Sequence, residues 1–153
     1  MTYLLRITLI ALALLTTVSC TSKPVFTPDR TLHASINSDR AQMQQAIVKA
    51  LVGRGWTVQK ITPQLVQAQI TVRGQYHAEI DIPYSADHYR IQYRDSSGLD
   101  YKDGKIHKNY IRWVRLLDRD IVRDLKDNQN ERTAKQLSEA ARVKPLKASE
   151  TTK

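Results

Sequence analysis

Cysteine is nearly absent from this chain: Cys20 stands alone among 153 residues, so no internal disulfide can form. Long apolar runs are missing too. The stretch Ile7 to Leu15 covers nine residues with Thr8 inside it, too short for a stable bilayer span. No sequence repeat recurs at the periods of solenoid proteins. HExxH and GxSxG are both absent, and no two of His33, His77, His88 and His107 are four residues apart, so neither a zinc-hydrolase helix nor a nucleophile elbow is encoded. At 41% apolar and 25% charged residues, the composition disfavours collagen-like, wholly disordered and multi-span membrane classes.

What is present begins with an export signal. Met1 to Arg6 carries one cation, Ile7 to Leu15 supplies an apolar core, and Thr16-Thr17-Val18-Ser19 leads to Cys20. The arrangement resembles a bacterial lipobox, with Thr17 where leucine is usual, and predicts a lipoprotein signal peptide at 1–19 and lipidation of Cys20. Two or three acyl chains there would anchor the chain stably in a membrane. Thr21, rather than an aspartate, resembles the sorting signal for the outer membrane of a two-membrane bacterium, facing the periplasm. After removal of the signal, about 130 residues remain, enough for one core and not for two domains. Lysine and arginine total 24 against 15 acids, a formal charge of +9, of which the signal peptide contributes only Arg6. Such a balance favours anionic surfaces without specifying an activity.

Residues 20–37 have two prolines and little hydrophobic pattern, which predicts a flexible tether with no fixed fold. A helix capped by Ser38 is expected through about Arg54, with Met43, Ala46, Ile47, Ala50 and Leu51 inward and Gly53 and Gly55 ending it. Alternation then predicts a four-stranded antiparallel meander. Trp56, Val58 and Lys60 mark its first strand, Val66 to Val72 the second, Tyr76 to Tyr84 the third, and Tyr89, Ile91 and Tyr93 the fourth. Matching the apolar faces pairs Val72 with Tyr76 across Arg73-Gly74-Gln75, Tyr84 with Tyr89, Ile82 with Ile91, and Glu79 with Arg94. A second helix from about Ile106 to Lys126 carries the stripe Tyr110, Trp113, Val114, Leu117, Ile121 and Leu125. The fold class is therefore α+β: helix, four-stranded meander, helix, both helices on one face of the sheet. The domain is expected at 38–127, with a polar, largely disordered tail at 128–153.

On the second helix Lys108, Arg112, Arg115, Arg119, Arg123 and Lys126 fall within roughly 60° of one another at about 100° per residue, opposite the apolar stripe. They form a basic ridge near 27 Å long, flanked by Asp118, Asp120 and Asp124, which lower its charge. It suits phosphate or carboxylate groups of a membrane, a glycolipid or an acidic protein. An exported chain without a recognition motif is not expected to bind nucleic acid. Tyr84, Tyr89, Tyr93 and Tyr110 are candidates to line a groove between sheet and helix. Glu79 and Asp81 share a strand face with Arg90 and Arg94 opposite, which explains them as charge pairs. Ser96 and Ser97 lie near Asp100 and His107 in sequence without a nucleophile motif. No catalytic, metal or cofactor residue is assigned.

The assembled motifs resemble a family of small bacterial lipoproteins. The resemblance is carried by the lipobox, by Arg54-Gly55-Trp56-Thr57-Val58, by Tyr89-x-Ile91-x-Tyr93, and by Ile106-His107-Lys108-Asn109-Tyr110-Ile111-Arg112-Trp113-Val114. Such chains are expected to read Tyr-Asn-x-Trp where this one has Ile111, so no role of that asparagine carries over. The resemblance implies location and fold and brings no activity, cofactor or catalytic residue. The expected function is a non-catalytic binding module on a lipid-anchored envelope protein, its partner an envelope protein or an anionic glycolipid. The alternatives are a small envelope enzyme using His107 with Asp100 or Asp103, and a spacer without a ligand.

Overall fold

The computed structural model describes residues 22–33, 35–36 and 38–148, with side chains through residue 142. The signal peptide and Cys20 lie outside these residues. Strand β1 (Ser22–Pro24) and β2 (Asp29–Thr31) precede helix α1 (Arg40–Gly53). Then follow β3 (Thr57–Thr62), β4 (Leu65–Val72), β5 (Tyr76–Pro83), β6 (His88–Arg90), β7 (Gln92–Ser97), β8 (Lys105–His107) and helix α2 (Lys108–Ala148). The main sheet is four-stranded and antiparallel in the order β3-β4-β5-β7, and two short ribbons pair β1 with β8 and β2 with β6. The fold is α+β, as the alternation and helical spacing predict.

The core lies between the sheet and the two helices. Val66, Ala68 and Ile70 of β4 and Ala78, Ile80 and Ile82 of β5 meet Met43, Ala46, Ile47 and Leu51 of α1 and Tyr110, Val114, Leu117 and Ile121 of α2, all buried. Alternation decides this, since every second residue of a strand faces the same side. The Val72 to Tyr76 pairing forms as expected, with Arg73 at φ 56° and Gly74 at φ 65° making the tight reversal. Helix α1 is capped by Asp39 rather than Ser38. Asp39 Oδ1 accepts from the Gln42 amide at 2.8 Å while Gln42 Oε1 accepts from the Asp39 amide at 3.0 Å, a reciprocal box that serine one residue earlier cannot make.

The expected first strand shifts register after Val58: Gln59 bulges, and Lys60 pairs with Gln67. The expected fourth strand is two strands. Tyr84 does bridge Tyr89, but β6 then pairs outward with β2, and the Ile91 amide donates to the Pro28 carbonyl at 2.9 Å. Strand β7 rejoins β5 with Ile80 opposite Tyr93. A bulge then sets Glu79 opposite Asp95 and leaves Arg94 as the extra residue, so the expected Glu79 to Arg94 backbone pairing fails. Ile82 and Ile91 keep the expected register between the Asp81–Gln92 and Tyr84–Tyr89 pairs but lie outside the strand ladder, because the Ile91 amide turns to Pro28.

Both chain ends differ from expectation. The segment expected to be a tether is part of the fold from Ser22: β1 pairs with β8, β2 with β6, and Val25, Phe26, Leu32 and Ile36 pack on the core. Its apolar residues are too widely spaced to show a period, yet each finds a place because the sheet and α2 leave an edge to be covered. Residues Ile106 and His107, expected to open the second helix, belong to β8. That helix runs to Ala148, well into the expected disordered tail. No glycine interrupts Lys108 to Ala148, and the polar stretch beyond Leu125 is rich in Gln, Glu, Lys, Arg and Ala, which favour helix without tertiary contacts.

Candidate functional site

Helix α2 decides the charge distribution of the domain. Its inward stripe fixes its rotation, and that rotation leaves Lys108, Arg112, Arg115, Arg119, Arg123 and Lys126 all exposed. Trp113, expected on the inward stripe, is only half-buried at its margin.

The acids of the same helix do not share the surface with the cations. Asp118, Asp120 and Asp124 are 4%, 8% and 8% exposed. Each takes a base from another element. Asp118 accepts from Arg30 of β2, Nη2 to Oδ2 at 2.6 Å and Nε to Oδ1 at 3.1 Å, and also from the buried Tyr89 hydroxyl at 2.8 Å. Asp120 pairs with Arg54 at the end of α1, and Asp124 with Lys49 on α1. The Arg54 hydrogen bond holds the Asp120 carboxyl below the usual carboxylate range. The expectation that these acids lower the charge of the ridge is corrected for Asp118 and Asp124, which are spent on docking β2 and α1. Asp120 alone reaches the ridge as well, 3.3 Å from Arg123 and 3.7 Å from Arg119.

The ridge is therefore uneven. Arg119 and Arg123 share Asp120, Arg115 lies over the Phe26 ring at 5.2 Å, and Lys108, Arg112 and Lys126 have no ion pair among the described residues. Around Arg112 the surface forms two shallow clefts. One, about 250 Å³, is lined by Lys23, Lys108, Ile111, Arg112, Arg115 and Leu116. The other, about 350 Å³, includes Arg73, Tyr76, Arg112 and Trp113. Neither cleft has an acidic lining residue. Lys23 and Arg73 escape sequence reasoning: one lies in the supposed tether and the other in a hairpin, and only the packing of β1 and of the β4-β5 turn beside α2 brings them there. A larger cleft between the helices, about 510 Å³, holds Lys49, Arg54 and Arg123 together with Asp120, Asp124 and Asp127, so its charges balance.

The tyrosines do not line a groove. Tyr84, Tyr89 and Tyr110 are 5%, 0% and 0% exposed. Tyr84 donates to Gln44 Oε1 and the Thr62 carbonyl, Tyr93 pairs with Ser96 at 2.9 Å, and Tyr93 packs edge-on to Tyr110. Burial raises the phenols of Tyr89 and Tyr110 well above their usual range, and for Tyr89 the bond to Asp118 adds to it. The Tyr89 and Tyr110 rings are part of the core alongside Ile91, Leu99 and Ile106, all fully buried.

On the outer face of the sheet Arg94 donates to Glu79 at 2.9 Å and to Asp81 at 3.0 Å, and Glu79 also holds His77 at 3.1 Å. This is the charge pairing expected of those carboxylates, except that Arg90 turns to Asp29 instead. His107 stacks on Tyr76 with centroids 6.2 Å apart, and its Nδ1 accepts from the Asn109 amide. Asp100 and Asp103 make no hydrogen bond to it among the described residues; they occupy left-handed turn positions at φ 50° and 49°. Among the described residues no three His, Cys, Asp or Glu side chains form a metal-binding group, and no helix is long and apolar enough to cross a membrane.

No protein-family model matches the chain, and no curated protein matches it.

Proposed function

We propose that the protein is an exported lipoprotein, anchored through Cys20 in the cell envelope and facing the periplasm from the outer membrane, whose α+β domain is a non-catalytic binding module for an anionic partner. One observation carries this reading. Six cations of α2 are exposed along one face, while Asp118 and Asp124 are turned inward and taken by Arg30 and Lys49, which leaves Asp120, held by Arg54, as the one of the three that also reaches the ridge. An unbalanced row of ammonium and guanidinium groups on a rigid helix suits an envelope protein with an acidic surface or a glycolipid bearing phosphate. A small envelope enzyme using His107 is the weaker reading, because its ring is engaged with Tyr76 and Asn109 rather than with a carboxylate.

The test is capture of partners by the full-length protein from mildly solubilised envelopes, comparing the wild type with a variant in which Arg112, Arg115, Arg119 and Arg123 are changed to Glu. A protein or glycolipid recovered by the first and lost by the second, at an unchanged melting temperature, supports the module. Equal recovery by a folded variant removes the ridge from the account.

A further inference from the structure

We infer that the surface around Arg112 rests on the phosphate-bearing headgroups of the same lipid layer that holds the acylated Cys20, so that the domain lies on its membrane rather than hanging from it. The inference rests on the lipid anchor proposed above and adds an orientation and a ligand.

The argument begins with the length of the leash. Ser22 already pairs with His107 in the β1-β8 ribbon, and the Val25 amide donates to the Gly104 carbonyl at 2.9 Å. Cys20 is two residues before Ser22. Two residues of chain span at most about 7 Å at about 3.5 Å each, so the lipid cannot be attached much farther than that from Ser22. His107 is followed directly by Lys108, the first cation of the ridge. The acyl chains must therefore enter the bilayer beside the start of α2, and whichever surface surrounds that point meets the headgroups first.

That surface has the composition a headgroup layer selects. The N-terminal segment runs along α2 with Lys23 beside Lys108 and Arg112, and Phe26 beneath Arg115. Lys23, Lys108 and Arg112 are exposed and have no ion pair among the described residues. The half-buried Trp113 lies in the adjoining cleft, which shares Arg112 and also holds Arg73 and Tyr76. Cations with an indole at their margin fit the boundary between phosphate and acyl chain, where aromatic rings of mixed character settle. By contrast Arg119 and Arg123, farther along the helix, share Asp120, and of the ridge beyond them only Lys126 is without an ion pair among the described residues, whereas Lys23, Lys108 and Arg112 stand together at the anchored end.

The probe is Trp113, since the only other tryptophan, Trp56, is 3% exposed. Full-length lipidated protein is reconstituted into vesicles of brominated phosphatidylcholine, or into vesicles in which brominated phosphatidylglycerol replaces part of it. Each basic side chain close to an anionic surface is worth about fivefold in partitioning, so Lys108→Glu with Arg112→Glu lowers the ratio of resting to detached domains by at least about 25-fold. Expected is a blue shift and quenching of Trp113 in the anionic vesicles only, lost in the double variant, in Lys23→Glu combined with Arg112→Glu, and in high salt.

An equal response in both vesicles, or one that survives charge reversal in a folded variant, overturns the inference. So does the same shift produced by inorganic phosphate on detergent-solubilised protein, which would make the surface a small-anion site. Partner capture through the ridge without any vesicle response defeats this inference and leaves the binding module standing. A mature protein whose mass shows no acyl groups on Cys20 removes the anchor and overturns both.

Discussion

Removing Asp118 tests whether the amino-terminal segment belongs to the domain. Asp118 is 4% exposed, and its carboxylate accepts from three donor atoms: Arg30 Nη2 at 2.6 Å, Arg30 Nε at 3.1 Å and the Tyr89 hydroxyl at 2.8 Å. In Asp118→Ala the Tyr89 hydroxyl, on a fully buried side chain, keeps only the carbonyl of residue 118 at 3.3 Å. A buried hydroxyl left so poorly satisfied costs about 1 to 3 kcal/mol. Arg30 is 51% exposed and can turn to water, so the lost ion pair adds only about 1 kcal/mol. The sum is about 3 kcal/mol, or about 12 °C in melting temperature at about 4 °C per kcal/mol for a domain near this size. Tyr89→Phe gives up one hydrogen bond and should cost about 1 kcal/mol. Combining Arg30→Ala with Asp118→Ala should cost less than the sum of the two single changes, because both remove the same contact. Urea unfolding followed by circular dichroism measures all four. Limited trypsin digestion of the folded Asp118→Ala protein should also cut faster after Arg30. A loss below about 0.5 kcal/mol with unchanged digestion would refute the claim that this carboxylate docks β2, since changes at ordinary surface sites fall in that range.

Gly98 sits at φ 70°, and a Cβ there would meet the Gln75 carbonyl oxygen at 2.1 Å. Gly98→Ala should therefore cost about 3 kcal/mol or more, whereas Gly55→Ala, at φ 76° with open space around it, should cost about 1 kcal/mol by thermal melting. Tyr110→Phe removes a buried hydroxyl that has no partner among the described residues, so its unfolding free energy in urea should stay within about 0.5 kcal/mol of wild type or rise. Acid should unfold the protein through carboxylates held below their usual range, Asp120 by its hydrogen bond from Arg54 and Glu79 by its hydrogen bond from His77. Their folded values lie under the unfolded ones, so the stability they give is complete above the usual carboxylate range and is lost as pH falls through it. The melting temperature should hold down to about pH 5 and fall below about pH 4, and Asp120→Asn should start lower and fall less steeply.

The sequence by itself determined the first helix, the central β4-β5 hairpin and the inward face of α2. Alternation from Val66 to Val72 and from Tyr76 to Ile82 places alternate side chains on one side, and a slip of one residue would expose all of them, so the β4-β5 register has a single answer. The outward cations of α2 follow in the same way from the angle between them and Tyr110, Val114, Leu117 and Ile121. Local pattern carries such information because strand and helix periods are properties of neighbouring residues.

Tertiary structure alone decided what each charged group meets. Asp118, Asp120 and Asp124 read as ridge neighbours in the chain, yet their partners Arg30, Arg54 and Lys49 lie 88, 66 and 75 residues away. The splitting of the fourth strand at Ile91 and the arrival of Lys23 beside Arg112 both depend on the amino-terminal segment, which pairs β2 with β6, takes the Ile91 amide at Pro28 and lays Lys23 along α2. A segment with isolated apolar residues has no period to announce such docking. Its place is set by the shape of the surface that the rest of the chain leaves uncovered, and that surface exists only after folding.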